Sequence, residues 1–353
     1  GGILTMGKFT TLLGRRYLSI ILILISCLSI SSPVLSHHAF AGVFDMSTQS
    51  EVEGEITNVI WRNPHVRFSL LATDGVSWDI QTNSVSILRR MDITTDFVSV
   101  GDIVRFAGYE ALDGGNAMWV NNMLLSDGRE VVLRPGVPRV WTGEKIGSEE
   151  LWLTGGSAIE ESGAGAASIF RVWSTHFTGV DRQLWDEGYQ LTEAAAAAQA
   201  KYNMLTDNPI ANCEPKGMPW IMAQPYPVGF VEDGENILFQ IEEYDTVRTI
   251  YMNSQKPADV ESSRLGYSTG RWDGAILVVE TSDINYPVFN DSGIPQSEEI
   301  HLVERFIPSA DGRRLDYTLV VDDAANFIGS ATFDKAWIWH PGEQVRPYEC
   351  TNG

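Results

Sequence analysis

The chain has 353 residues, 44% of them apolar, which is enough for two folded domains with ordinary cores. Its formal net charge of −21, from 46 acidic and 25 basic side chains, repels phosphate backbones and anionic membrane surfaces and excludes nucleic acid as the expected partner. No Gly-x-Ser-x-Gly elbow, phosphate loop or dinucleotide fingerprint occurs, so no complete motif points to an enzyme.

The chain opens with the parts of an export signal. Met6 reads as the initiator, with residues 1–5 as upstream translation. Lys8, Arg15 and Arg16 supply a basic n-region and residues 17–30 an apolar h-region. That run is too short and too interrupted by serines for a permanent membrane span, which needs about 20 apolar residues. Pro33-Val34-Leu35-Ser36 offers a cleavage site, so residues 1–36 are the expected signal peptide and His37 the mature N-terminus. A rival site stays open, because Leu24-Ile25-Ser26-Cys27 fits a lipoprotein box that would leave Cys27 acylated and the protein membrane-anchored. The expected location is therefore periplasmic or secreted. Two cysteines remain after removal of the signal, Cys213 and Cys350, in a compartment that permits disulfides. Joined, they would stabilise the fold by about 4–5 kcal/mol in the chain-entropy model; separate, they would be two buried thiols.

Residues 37–135 form the first expected domain. Short strand patterns follow one another from residue 51 to 132, including Val66-Arg67-Phe68-Ser69-Leu70 and Val76-Ser77-Trp78-Asp79-Ile80 around an Asp74-Gly75 turn. Residues 83–91 read as a short helix before two further strands. Five strands with one helix between the third and fourth predict a small OB-like barrel. Residues 136–168, with Gly155-Gly156-Ser157 and Gly163-Ala164-Gly165, read as a linker.

The second expected domain spans residues 169–353. A helix over residues 191–205, N-capped by Thr192, leads into a proline-rich irregular stretch at 208–227. Strands then follow at 228–231, 237–244, 247–252, 275–281, 300–307, 314–322 and 332–339. Asp233-Gly234, Asp273-Gly274 and Asp311-Gly312 supply hairpin turns between several of them. A meander of seven or eight antiparallel strands closes as a lipocalin-like barrel. The fold class expected is mainly β.

The sharpest chemical feature is His37-His38. An N-terminal histidine offers an amine and an imidazole, and a second imidazole completes a T-shaped nitrogen set that suits copper. His65 is the candidate for that second imidazole, since His38 is too close in sequence to span the site easily. Against this, the pair can be a processing tail and His65 a strand residue with a local hydrogen bond. His176, His301 and His340 show no metal spacing. In the second barrel, Arg248, Arg271, Trp272 and Tyr244 are the candidate ligand-binding residues, with many aromatics able to line an apolar cavity or to fill a core. Gly270-Arg271-Trp272 has the Gly-x-Trp form of lipocalins, although there it lies on the first strand. Glu242, Glu243 and Asp245 could include a base near Arg248, but charges at alternate strand positions are expected to face water.

His37-His38-Ala39-Phe40, Val52-x-Gly54-x-Ile56-x-x-Val59, Trp61-x-Asn63-Pro64-His65 and Gly101-Asp102 to Gly108-Tyr109 together resemble a bacterial family of exported proteins catalogued as a domain of unknown function. The resemblance covers residues 37 to 132. The second half resembles a domain of bacterial hypothetical proteins through Cys213-x-Pro215-x-Gly217-Met218-Pro219, Gly270-Arg271-Trp272-x-Gly274 and Leu277-Val278-Val279-Glu280-Thr281. Neither resemblance implies a reaction. The expectation is an exported, non-catalytic protein binding copper at His37 and His65, an apolar small molecule in the second barrel, or both. A copper-dependent oxidase or hydrolase, and an assembly protein using its acidic surface and strand edges, are the alternatives.

Overall fold

The computed structural model describes Gly1 and residues 43–141, 143–147, 168–175, 188–203 and 207–350. The chain divides into residues 1–36 and one compact unit of residues 37–353, and everything below concerns the second. The export signal, Cys27, His37, His38 and His176 lie outside the described residues.

The first barrel is built from β1 (Ser50–Ile60), β2 (Arg67–Ala72), β3 (Ser77–Gln81), β4 (Ile103–Glu110) and β5 (Ala117–Leu125). The strand order β3-β2-β1-β4-β5 closes through a parallel β3–β5 pairing, and helix α1 (Val85–Arg90) lies between the third and fourth strands. This is the expected OB-like arrangement. Strands β1 to β4 turn apolar residues inward, Ile56, Phe68, Leu70, Ile80, Val104 and Phe106 among them, and β5 is buried along most of its length. Gly108 sits at a bulge where β4 crosses β5 so closely that a Cβ would lie 2.1 Å from the Trp119 carbonyl oxygen. Ser84 caps α1, its hydroxyl accepting from the Ile87 amide at 3.2 Å.

The described part of the expected linker is structured at its start. β6 (Glu130–Val132) pairs with β5, and β7 (Lys145–Ile146) pairs with β6. The buried Glu130 carboxylate accepts from the Val140 and Trp141 amides and from Asn122. Residues 148–167 lie outside the described range.

The second barrel has nine strands, more than the meander predicts. They are β8 (Val172–Thr175), β9 (Val228–Asp233), β10 (Asn236–Ile241), β11 (Thr246–Met252), β12 (Tyr267–Asp273), β13 (Ile276–Ser282), β14 (His301–Pro308), β15 (Arg314–Asp322) and β16 (Ala331–Trp339), closed in the order β10 through β16, then β8 and β9. The two added strands are β8, which closes the ring between β16 and β9, and β12. One neighbouring pair, β11 and β12, runs parallel; the rest are antiparallel. Helix α2 (Glu193–Gln199) is shorter than expected, and Thr192 caps it through the Ala195 amide.

Candidate functional site

His65 stands just ahead of β2, after a cis Asn63–Pro64 bond. Its imidazole meets the Trp119 indole edge-on, with ring centres 5.1 Å apart. Trp119 comes from β5 and pairs with Gln81 of β3 across the parallel seam. The Gln81 side chain hydrogen-bonds to His65, and its amide donates to Asp79 at 3.1 Å. Burial, with the cations Arg67 and Lys216 nearby, pushes the His65 pKa down to about 4, so the imidazole is neutral at physiological pH. Neither cation is bare: Arg67 is paired with Asp79 and Lys216 with Glu243.

The same indole receives the start of the described chain. Phe44 bridges to Ala111 and packs on Trp119 with ring centres 6.3 Å apart, and the Val43 carbonyl accepts from the Leu112 amide. His65 and Phe44 therefore share one wall. Sequence reasoning missed Gln81, Trp119 and Phe44, because their convergence depends on the β3–β5 pairing rather than on spacing. Among the described residues no three His, Cys, Asp or Glu side chains gather as metal ligands.

The four residues expected to bind a ligand in the second barrel are not brought together. Arg248 points inward from β11 and is buried with Glu304 of β14, which it contacts through both terminal guanidinium nitrogens. Ser268, Thr281 and Tyr317 complete the network, with Tyr317 donating to Glu304 at 2.9 Å. Arg271 faces outward and pairs with Glu280. Trp272 is partly exposed near the strand end, against Phe170. Tyr244 belongs to the β10–β11 turn and packs on Tyr348. The remaining interior holds a continuous aromatic cluster of Phe230, Phe239, Phe306, Tyr317 and Trp337. These side chains fill the barrel as a core.

The acidic residues beside this turn correct a second expectation. Glu242 and Glu243 do not face water; both are buried, because the turn is pressed against the first barrel and the segment before β9. Glu242 accepts from both terminal guanidinium nitrogens of Arg90 and from the Arg346 amide. Glu243 pairs with Lys216 at 2.9 Å, and burial raises its pKa. Nearby Lys335 donates to the carbonyls of Met222 and Gln224, and burial lowers its pKa to about 7. A hollow of about 370 Å³ beside Tyr189, Phe327 and Ile328 carries no charged side chain.

Cys213 and Cys350 form the disulfide, across 137 residues of sequence. Such a bond belongs to an oxidising compartment outside the cytoplasm. None of the described helices is long and apolar enough to cross a membrane.

Fold and site define a two-barrel β protein whose OB-like half carries the His65–Trp119 corner. Residues 25–119 match the model of a family of unknown function, DUF6152, which takes in the His-His and Asn-Pro-His stretch. No curated protein matches the chain.

Proposed function

We propose that this is an exported, periplasmic or secreted binding protein without catalysis. It holds one copper ion between its mature N-terminus and His65. The observation that carries this reading is the shared indole: Phe44 and His65 both lean on Trp119. His37 lies six residues before Val43, a length that spans at most ~20 Å when extended, so its amine and imidazole can approach His65. His38 follows as a further imidazole.

The residues fit the metal on chemical grounds. A ligating imidazole must be neutral, and it is oriented by a hydrogen bond from its other nitrogen; His65 meets both requirements, with Gln81 backed by Asp79 as the orienting partner. Three nitrogens with open positions suit copper among first-row ions. The filled second barrel supports a scaffold role for that half rather than carriage of an apolar molecule.

The test is a copper titration of protein purified from an exporting host, with intact mass to fix the N-terminus. The expected result is a mass beginning at His37, one copper per chain, and quenching of indole emission that Trp119→Phe reduces without loss of binding. His37→Ala and His65→Ala should each weaken binding by more than the ~10–100-fold that loss of a ligand's hydrogen-bond partner costs. A mass beginning at acylated Cys27, or unchanged affinity in either histidine variant, overturns the site.

A further inference from the structure

The end of the chain is shared between the two barrels. After β16, residues 341–350 leave the second barrel and run along the first. Glu343 and the Gln344 carbonyl take Arg90 of α1. The Arg346 amide donates to Glu242 and the Tyr348 amide to Asp245, both in the β10–β11 turn of the second barrel. Tyr348 itself is buried in the core of the first barrel, between Tyr226 and Tyr244. Its carbonyl accepts from the Asn63 side chain, and Asn63 also forms a bridge with Cys350. Cys350 then returns covalently to Cys213, which caps a short 3-10 turn (Pro209–Asn212) of the second half.

The tail is thus a strap, tied by a covalent bond at the point where it touches the loop bearing His65. We infer that the Cys213–Cys350 bond is a lock closed after export, and that closing it fixes both the tail and the Asn63-Pro64-His65 loop. Two thiols in the reducing cytoplasm leave the strap untied. Exchange with a disulfide carrier outside it forms a mixed disulfide on one cysteine. Attack by the other thiolate forms the Cys213–Cys350 bond and releases the carrier as its dithiol, so two electrons and the two thiol protons pass from the cysteines to the carrier. The buried Tyr348 and the Asn63 contacts then hold the strap in register, and the bond prevents its excursion. The lock does not depend on metal binding.

The experiment is amide hydrogen exchange on the mature full-length protein with chelator present. Oxidised protein is compared with protein reduced by a dithiol and alkylated, and with Cys350→Ser and Cys213→Ser. Opening should speed exchange at the Ser86, Arg346 and Tyr348 amides by at least about tenfold, while β13–β15 stay protected as before. Both serine variants should reproduce the reduced pattern, because either removes the same bond. Unchanged exchange in the strap overturns the lock. So does loss of protection throughout both barrels, or an effect from only one cysteine.

Discussion

Arg90 of the first barrel and Glu242 of the second meet as a two-pronged ion pair, Nη1 to one carboxylate oxygen and Nη2 to the other, both at 2.6 Å. Their side chains are 4% and 0% exposed. A pair this dry is held by its full set of hydrogen bonds rather than by charge alone. Arg90 supplies its remaining donors to Glu343, the Gln344 carbonyl and the Ser86 carbonyl, and Glu242 accepts the Arg346 amide.

Removing one partner should therefore be costly. Arg90→Leu strands the Glu242 charge in the boundary, and the expected loss is about 3–5 kcal/mol in urea unfolding. Replacing both residues with apolar ones, Arg90→Leu with Glu242→Leu, should cost less than Arg90→Leu alone. A single variant within ~0.5 kcal/mol of the parent would show that the pair is solvated.

The interior of the second barrel makes a parallel prediction. Arg248→Met leaves Glu304 unpaired, and about 3–5 kcal/mol should be lost. Tyr317→Phe removes one hydrogen bond to that carboxylate and should cost about 1.5–3 kcal/mol. Together they should cost less than the two losses added, since both act on Glu304. Strict additivity in equilibrium unfolding would separate the two contacts.

His65 predicts the pH dependence of stability. Its folded pKa of about 4 lies below the ordinary 6.5, so the unfolded chain binds the extra proton between those values. Metal-free protein should lose up to ~3 kcal/mol of stability from this group as pH falls from 6.5 to 4, and the loss ends below 4. His65→Gln should flatten that slope. An unaltered slope would place the titration on other groups.

Ser84 offers a smaller, local test. Ser84→Ala removes the cap of α1, the helix that carries Arg90, and should lower stability by about 1 kcal/mol. Circular dichroism against urea reads this directly. No change would mean that α1 is held by packing alone.

The sequence made the first barrel legible because apolar and polar residues alternate along β2 and most of β1, and Asp-Gly turns mark several strand ends. The second barrel was legible only where the same rule held. β8 is four residues long with Trp173 as its one fully buried apolar side chain, and β12 turns Ser268 and Gly270 inward, so neither shows a run of alternating apolar residues. Arg248, Glu304 and Thr281 point inward as well, which reverses the in-and-out reading of charge. Glu242 and Glu243 misled for a different reason: they sit at a turn where Tyr244 and Asp245 take positive φ, and the turn is buried against another part of the chain. Asn63 was visible only as part of a motif; its contact with Tyr348 joins residues 285 apart, and local spacing cannot report that.

Both rings contain an odd number of strands, five and nine. If every neighbour ran opposite to the next, a closed ring would need an even count. An odd ring must contain a mismatch, and each of these contains one: β3 beside β5, and β11 beside β12. Each mismatch spans three residue pairs. In the smaller ring the last of them joins Gln81 to Trp119, the two residues between which His65 is held. On an open ribbon those residues would lie at opposite margins. The surroundings of His65 therefore exist only in the closed ring, and whatever opens that seam dismantles them.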